Sequence, residues 1–206
     1  MVIISIQIFY IKKGTKMLKK SILPITLAIM LLSQGCNSDN NDKNSKTEQA
    51  NSMISKNEYI LTTLNKIEYI VTKETDGFKL KDAEGKIIIY DIFATWCPPC
   101  RNAASHLTSL QKKYKDDLII IGISIEDKIS DEKLLDFRNQ NNANYALSNS
   151  EQNRRLADEI VNSLGLGDRY PIPLMAMYKD GKLINHFVGM TQEEFIDSEI
   201  KKTLGK

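Results

Sequence analysis

The chain has 206 residues, 42% of them hydrophobic, which suffices for one packed domain of ordinary size plus tails. Its 28 basic and 26 acidic residues leave a net charge of +2, but five of the lysines and none of the acids lie in residues 1–35. The remainder is net acidic by three, which excludes nucleic-acid binding through bulk charge.

The first apolar stretch, Val2 to Ile11, serves no evident purpose ahead of a second one, and Met17 reads as the translation start. From Met17 the order is Leu18-Lys19-Lys20, an apolar run from Ile22 to Leu32, then Ser33-Gln34-Gly35-Cys36. A membrane-spanning helix needs about 20 apolar residues, and Pro24 weakens that reading further. A charged start, a short apolar run and small residues before a cysteine make a signal segment. It resembles a bacterial lipoprotein signal in which Cys36 carries the lipid; Ser33 departs from the usual aliphatic residue there, and an uncleaved anchor or ordinary secretion are the alternatives. Residues 37–58, rich in Asn, Ser, Asp and Lys, have little to bury and read as a disordered tether. Its span is roughly 25 Å for a flexible chain of that length. A single folded domain is expected over 59–206.

Two short β-branched and aromatic runs, Tyr59 to Thr63 and Ile67 to Val71, read as a hairpin or paired strands. Asp76-Gly77 and Glu84-Gly85 bracket a short strand over Phe78 to Lys81. Ile87 to Phe93 is apolar on both faces except at Asp91, the pattern of a strand covered by layers on each side. Directly after it comes Trp96-Cys97-Pro98-Pro99-Cys100, and then helical spacing at Ala103, Ala104, Leu107, Leu110 and Tyr114.

A helix starting at this motif puts Cys97 near the N-cap and Cys100 one turn on, within disulfide reach. Pro98 suits the first turn, where a missing N–H costs nothing. Orphan amides and the helix dipole favour a thiolate on Cys97, making it the natural nucleophile. The other reading of Cys-x-x-Cys, half of a zinc site, needs further ligands. Besides the pair the chain has only Cys36, His106 and His186. Arg101 after Cys100 removes the haem-attachment form. No metal or other cofactor is expected, and both histidines read as surface or packing residues.

The run Phe78 to Lys86, the strand, and Ala94-Thr95-Trp96-Cys97-Pro98-Pro99-Cys100-Arg101 resemble the TlpA/ResA-type thioredoxin-like proteins, membrane-tethered thiol-disulfide oxidoreductases of bacteria. The resemblance covers roughly residues 59–206. It implies an α/β thioredoxin-like fold, with a mixed central β-sheet flanked by helices, an added N-terminal β-hairpin, and an insertion after the second βα unit. It also implies that Asp91, six residues before Cys97, lies beneath the second cysteine and relays its proton; a strand-end acid satisfied by an amide or water is the alternative. Thioredoxin carries a lysine near this acid on the next strand, whereas Ile119 to Ser124 has none, so the acid is tuned differently here.

Leu118 to Ile125 is a second buried strand, followed by a helix over 131–139, a strand near 145–147 and a helix over 151–164. Ser130 to Leu147 is the segment that the resemblance makes an insertion. Asp180-Gly181 closes a hairpin with arms Leu174 to Tyr178 and Lys182 to Val188. The resemblance assigns a cis peptide bond to Pro173, seven residues before Asp180, with Ile172 ahead of it and Leu174 in place of the usual threonine. The last helix, 192–204, turns Phe195, Ile196, Ile200 and Leu204 inward.

The resemblance therefore implies an extracytoplasmic enzyme acting through Cys97 and Cys100, with Asp91 and Pro173 in the site and Trp96, Pro98, Pro99 and Ile172 supporting it. Its partners are client proteins with disulfides, an upstream membrane thiol-disulfide donor, and the membrane through the lipid; no nucleic acid is among them. Ile172 and Asp91 resemble reductants more than strong oxidants, and cytochrome c maturation is a family-level expectation. An oxidase or isomerase, or a metal carrier on the same fold, are the competing functions.

Overall fold

The computed structural model describes residues 55–206. The signal, the lipid-bearing Cys36 and nearly all of the tether lie outside the described residues. Glu58–Thr62 (β1), Glu68–Glu74 (β2) and Gly77–Leu80 (β3) form an antiparallel three-stranded sheet. The expected hairpin thus gains the short Phe78 strand as a third member. Tyr59, Leu61, Val71, Phe78 and Leu80 alternate onto one face and are buried together, as period-two patterning requires.

The central sheet is built from Ile87–Phe93 (β4), Leu118–Ser124 (β5), Ala146–Ser148 (β6), Leu174–Lys179 (β7) and Lys182–Val188 (β8), in the order β6-β5-β4-β7-β8. β4, β5 and β6 run parallel, and β7 and β8 are antiparallel, so the sheet is mixed as expected. All seven residues of β4 are buried. Its odd-numbered residues meet Pro98–Lys113 (α1), Asp131–Asn141 (α2) and Glu193–Leu204 (α4). Its even-numbered residues meet Asn153–Ser163 (α3) and the three-stranded sheet. Each face of β4 therefore has its own core, which is why no polar alternation marks it in sequence.

The short β6 has its outer side covered: Thr63 bridges Ser148, the Leu64 N–H donates to the Leu147 carbonyl, and the Asn149 N–H donates to the Thr62 carbonyl. Tying the N-terminal strands there removes an open sheet edge.

Element boundaries differ from the sequence reading by one to two residues in α2, which runs on to Asn141 with Asn142 as a left-handed cap, and in α3, which starts at Asn153. One inward assignment is overturned. Phe195 is 64% exposed, while Ile196 and Ile200 are buried and Leu204 is partly so. A helix docked on one side buries an i, i+4 stripe, and Phe195 sits one position round from that stripe.

Candidate active site

β4 ends at Phe93, the chain turns through Ala94, Thr95 and Trp96, and α1 begins at Pro98 with Cys97 as its N-cap. Pro98 and Pro99 fill the first turn, where no intrahelical N–H is needed. Cys97 and Cys100 are joined as a disulfide with Cα atoms 5.3 Å apart. The Cys100 N–H points at Cys97 Sγ, 3.3 Å away. α1 has no acid in its first turn, and Lys112 and Lys113 lie in its last. Negative charge on Cys97 is therefore unopposed at the positive end of the helix.

Both cysteines are almost covered, whereas Trp96 beside them is 60% exposed and Pro98 is exposed. Opposite Cys97 lies the segment before β7. Its Ile172-Pro173 peptide bond is cis, as assigned from sequence, and the Ile172 carbonyl oxygen is 3.7 Å from Cys97 Sγ. The structure thus brings Trp96, Cys97, Pro98, Pro99, Cys100, Ile172 and Pro173 together.

Asp91 belongs to the same constellation. It shares the β4 face with Ile87, Ile89 and Phe93, which cluster with Cys97 and Cys100. The residue is 2% exposed. Burial raises its carboxyl pKa to about 7, and a hydrogen bond from the Tyr145 hydroxyl to Oδ2, at 3.0 Å, works in the opposite direction. Oδ1 has no hydrogen-bond partner among the described residues. A carboxyl that titrates near neutrality is suited to both giving and taking a proton.

Three residues of the site were given no role from the sequence. Tyr145 is one. Glu126 accepts the Thr95 N–H at 2.6 Å and pairs with Lys133, while Arg101 Nε donates to the Thr95 carbonyl at 2.9 Å. The peptide groups flanking Thr95 are pinned from two sides, which fixes the turn that presents Trp96 and Cys97. Burial pushes the Glu126 pKa up, but Lys133 and the Thr95 amide outweigh it and the net direction is down. The sequence cue for Arg101 and Glu126 was only proximity to the motif and to the end of β5. His106 and His186 are half-buried and stand outside the constellation. Among the described residues no group of three or more His, Cys, Asp or Glu is arranged to hold a metal ion.

The AhpC/TSA family profile matches residues 62–162. The thiol-disulfide oxidoreductase ResA of Bacillus thuringiensis is 26% identical over 136 residues, covering 65% of this chain and 73% of that protein. The chain is a thiol-disulfide oxidoreductase similar to the ResA proteins. The thioredoxin-like protein YneN of Bacillus subtilis is 37% identical over a shorter stretch, 26% of this chain and 32% of its own. Among solved structures, a thioredoxin-family thiol:disulfide interchange protein from Chlorobium tepidum superposes with a TM-score of 0.54 at 19% identity, covering 74% of this chain and 97% of that one. A thioredoxin-like protein from Aeropyrum pernix gives 0.51 at 15% identity, over 76% and 94%. These two likenesses bear on the fold, which is thioredoxin-like. In such an oxidoreductase the chemistry resides in the cysteine pair itself.

Proposed function

We propose that this enzyme is a reductant of protein disulfides on the outer side of a bacterial cytoplasmic membrane or in the outer membrane, tethered by a lipid on Cys36. The observation that carries the reductant reading is the buried Asp91 on the strand that leads into the cysteine pair, its carboxyl pushed up to about 7 by burial, with Ile172 ahead of the cis Pro173 facing Cys97. In the reduced enzyme the Cys97 thiolate attacks a client disulfide, forming a mixed disulfide and expelling one client thiolate. Asp91 then takes the proton of Cys100, whose thiolate attacks Cys97 Sγ and releases the second client sulfur. Two electrons pass to the client, and the Cys97–Cys100 bond forms. Trp96, Ile172 and Pro173 line the approach to Cys97 and receive the client chain. A membrane thiol-disulfide donor restores the dithiol, and the disulfide of an apocytochrome c is the family-level client.

The sequence support for anchoring is the run from Leu18 to Cys36. None of the helices among the described residues is long and apolar enough to cross a membrane.

The test has two arms. Cys100→Ala should accumulate covalent client complexes that a reducing agent releases, and Cys97→Ala should not; equal trapping by both contradicts the roles. Equilibration of the pair with glutathione should give a potential below about −240 mV, on the reducing side of protein disulfide isomerase at about −180 mV. A value near the −120 mV of a strong oxidant would overturn the direction of electron flow.

A further inference from the structure

The sheet position that faces Asp91 from β5 is Gly122, its partner in the parallel register. A methyl group at Gly122 would lie 2.8 Å from Leu147 Cδ2 and 3.1 Å from both Phe93 Cε1 and Tyr145 Cε2. The missing side chain is therefore the room in which the Tyr145 ring lies, and from there its hydroxyl reaches Asp91 Oδ2 at 3.0 Å. The ring is held from both directions along the chain. The Thr108 hydroxyl, on α1, donates to the Asn142 carbonyl at 2.6 Å and accepts the Asn144 N–H at 2.8 Å. The Ala143 N–H donates to the Arg138 carbonyl at 3.0 Å, and Ala146 then enters β6 opposite Ile121. Tyr145 is 5% exposed. A tyrosine hydroxyl buried this way normally has a dedicated partner, and here the partner is Asp91, on the face of β4 whose apolar residues pack with the cysteine pair.

We propose that Tyr145 is the positioning residue of the resolution step: seated over Gly122, its hydroxyl holds Asp91 Oδ2 and leaves Oδ1 to take the proton of Cys100. This rests on the reading of Asp91 as the base. The hydrogen bond favours the carboxylate over the acid, so it opposes the burial that keeps the group protonated. In return the negative Asp91 and burial raise the Tyr145 pKa well above its ordinary value, burial being the larger cause, so the hydroxyl stays a donor throughout.

The groups facing Asp91 leave few competitors for this role. Met175 of β7 is its register partner, and the core on this side of the sheet is otherwise built from Ile89 and Phe93 of β4, Leu134 and Phe137 of α2, and Ile196 and Ile200 of α4. α1 contributes the two cysteines, and the other titratable members of that core are Tyr145 and Tyr114, whose hydroxyl donates to Asp197 instead. Arg138 and Lys115 line the cleft that Tyr145 borders, beyond its ring.

The decisive experiment mixes reduced enzyme rapidly with a small aromatic disulfide across pH 5.5–9. Release of the first aromatic thiolate reports attack by Cys97, and release of the second reports resolution by Cys100. Tyr145→Phe keeps the ring and removes the hydroxyl. It should move the inflection of the second step up by about one pH unit, the worth of one hydrogen bond to a charged group. At pH 7 resolution should slow about fivefold, as the carboxylate fraction falls from about a half to about a tenth. The rate should recover toward the wild type above pH 8, and the first step should be unchanged. Asp91→Asn, measured alongside, should abolish the inflection. If it does and Tyr145→Phe leaves the profile where it was, the role of Tyr145 is refuted while the base assignment stands. If Asp91→Asn keeps the wild-type profile, the base assignment fails and Tyr145 as its positioning residue falls with it.

Discussion

Replacing Asp91 by Asn removes a titrating group from the core without changing its shape, and the resulting stability can be worked out as a function of pH. The ordinary aspartate pKa is 3.8 and the folded protein raises it to about 7. Below the lower value both the folded and the unfolded chain hold the proton, and Asp91 costs nothing. Between the two values the unfolded chain has released a proton that the folded chain retains, so wild-type stability falls as pH rises. Above about 7 both forms are ionised and the cost is constant at about 4 kcal/mol, from 1.36 kcal/mol for each of about three pKa units. That is a large share of the 5–15 kcal/mol typical of a domain.

The measurement is urea unfolding of the oxidised wild type and Asp91→Asn at pH 4.5, 6 and 8. Asparagine brings its own pH-independent hydrogen-bonding cost, so the sign of the difference at one pH is not the criterion. The criterion is its change: the variant should gain about 3 kcal/mol on the wild type between pH 4.5 and 8. A difference constant to within about 0.5 kcal/mol would refute the reasoning, because it would mean that the folded and unfolded chains bind the same number of protons at this residue.

Two further outcomes follow from residues outside the redox pair. Asp197 pairs with Lys113 on α1, whose contribution is the larger, and with Lys201, and accepts the Tyr114 hydroxyl at 2.8 Å, which together hold its carboxyl well below the usual range. Asp197→Asn should therefore cost about 1 kcal/mol at pH 7, the half-exposed lysines limiting the loss through solvent screening. The loss should begin to shrink as the pH falls below about 4, where the unfolded carboxyl starts to bind its proton, and should vanish only when the pH has fallen through the lowered folded value; thermal unfolding followed from pH 7 down to about pH 2 checks both. Cys36→Ser should release the protein from the membrane fraction or block its processing, read by fractionation and intact mass, and unchanged processing with full membrane retention would count against lipidation.

What could be read in the chain was local. The strand, turn and helix around Cys97 and Cys100 follow from an apolar run, two prolines fit for a first helical turn, and a 3.6-residue pattern. Asp91 stood out because a carboxylate in an otherwise apolar buried strand conflicts with its surroundings, and such conflicts mark functional sites. Tyr145 was not legible, because it meets Asp91 across 54 residues from a segment whose only regular structure is a three-residue strand. The lysine missing from β5 was the one trace of it: with Gly122 at the facing position, the polar partner had to come from elsewhere. Phe195 was misread for the opposite reason, since apolar spacing on a helix does not say how wide a stripe its neighbours will cover.

The joint between the N-terminal sheet and the rest of the domain offers a test of whether that sheet is structurally integral. Gly77, at the start of β3, has φ +152°, and a Cβ there would stand 2.5 Å from the Gly181 carbonyl oxygen and 2.8 Å from Tyr178 Cε1. Neither neighbour can retreat easily, since one is backbone in the β7–β8 turn and the other is a ring buried against Phe78 and Tyr90 with centroids 5.7 and 5.6 Å away. Gly77→Ala should thus combine an unfavourable backbone conformation with overpacking, at about 2–4 kcal/mol. The loss should appear in urea unfolding as a lower midpoint with an unchanged slope. Tyr178 is four residues along β7 from Leu174, roughly 13 Å at strand spacing, so the glutathione equilibrium of Cys97 and Cys100 should stay at its wild-type value. A loss below about 1 kcal/mol would mean that the turn yields and the close contact holds nothing. A large loss together with a shifted redox equilibrium would instead mean that strain at Gly77 travels along β7 to the site.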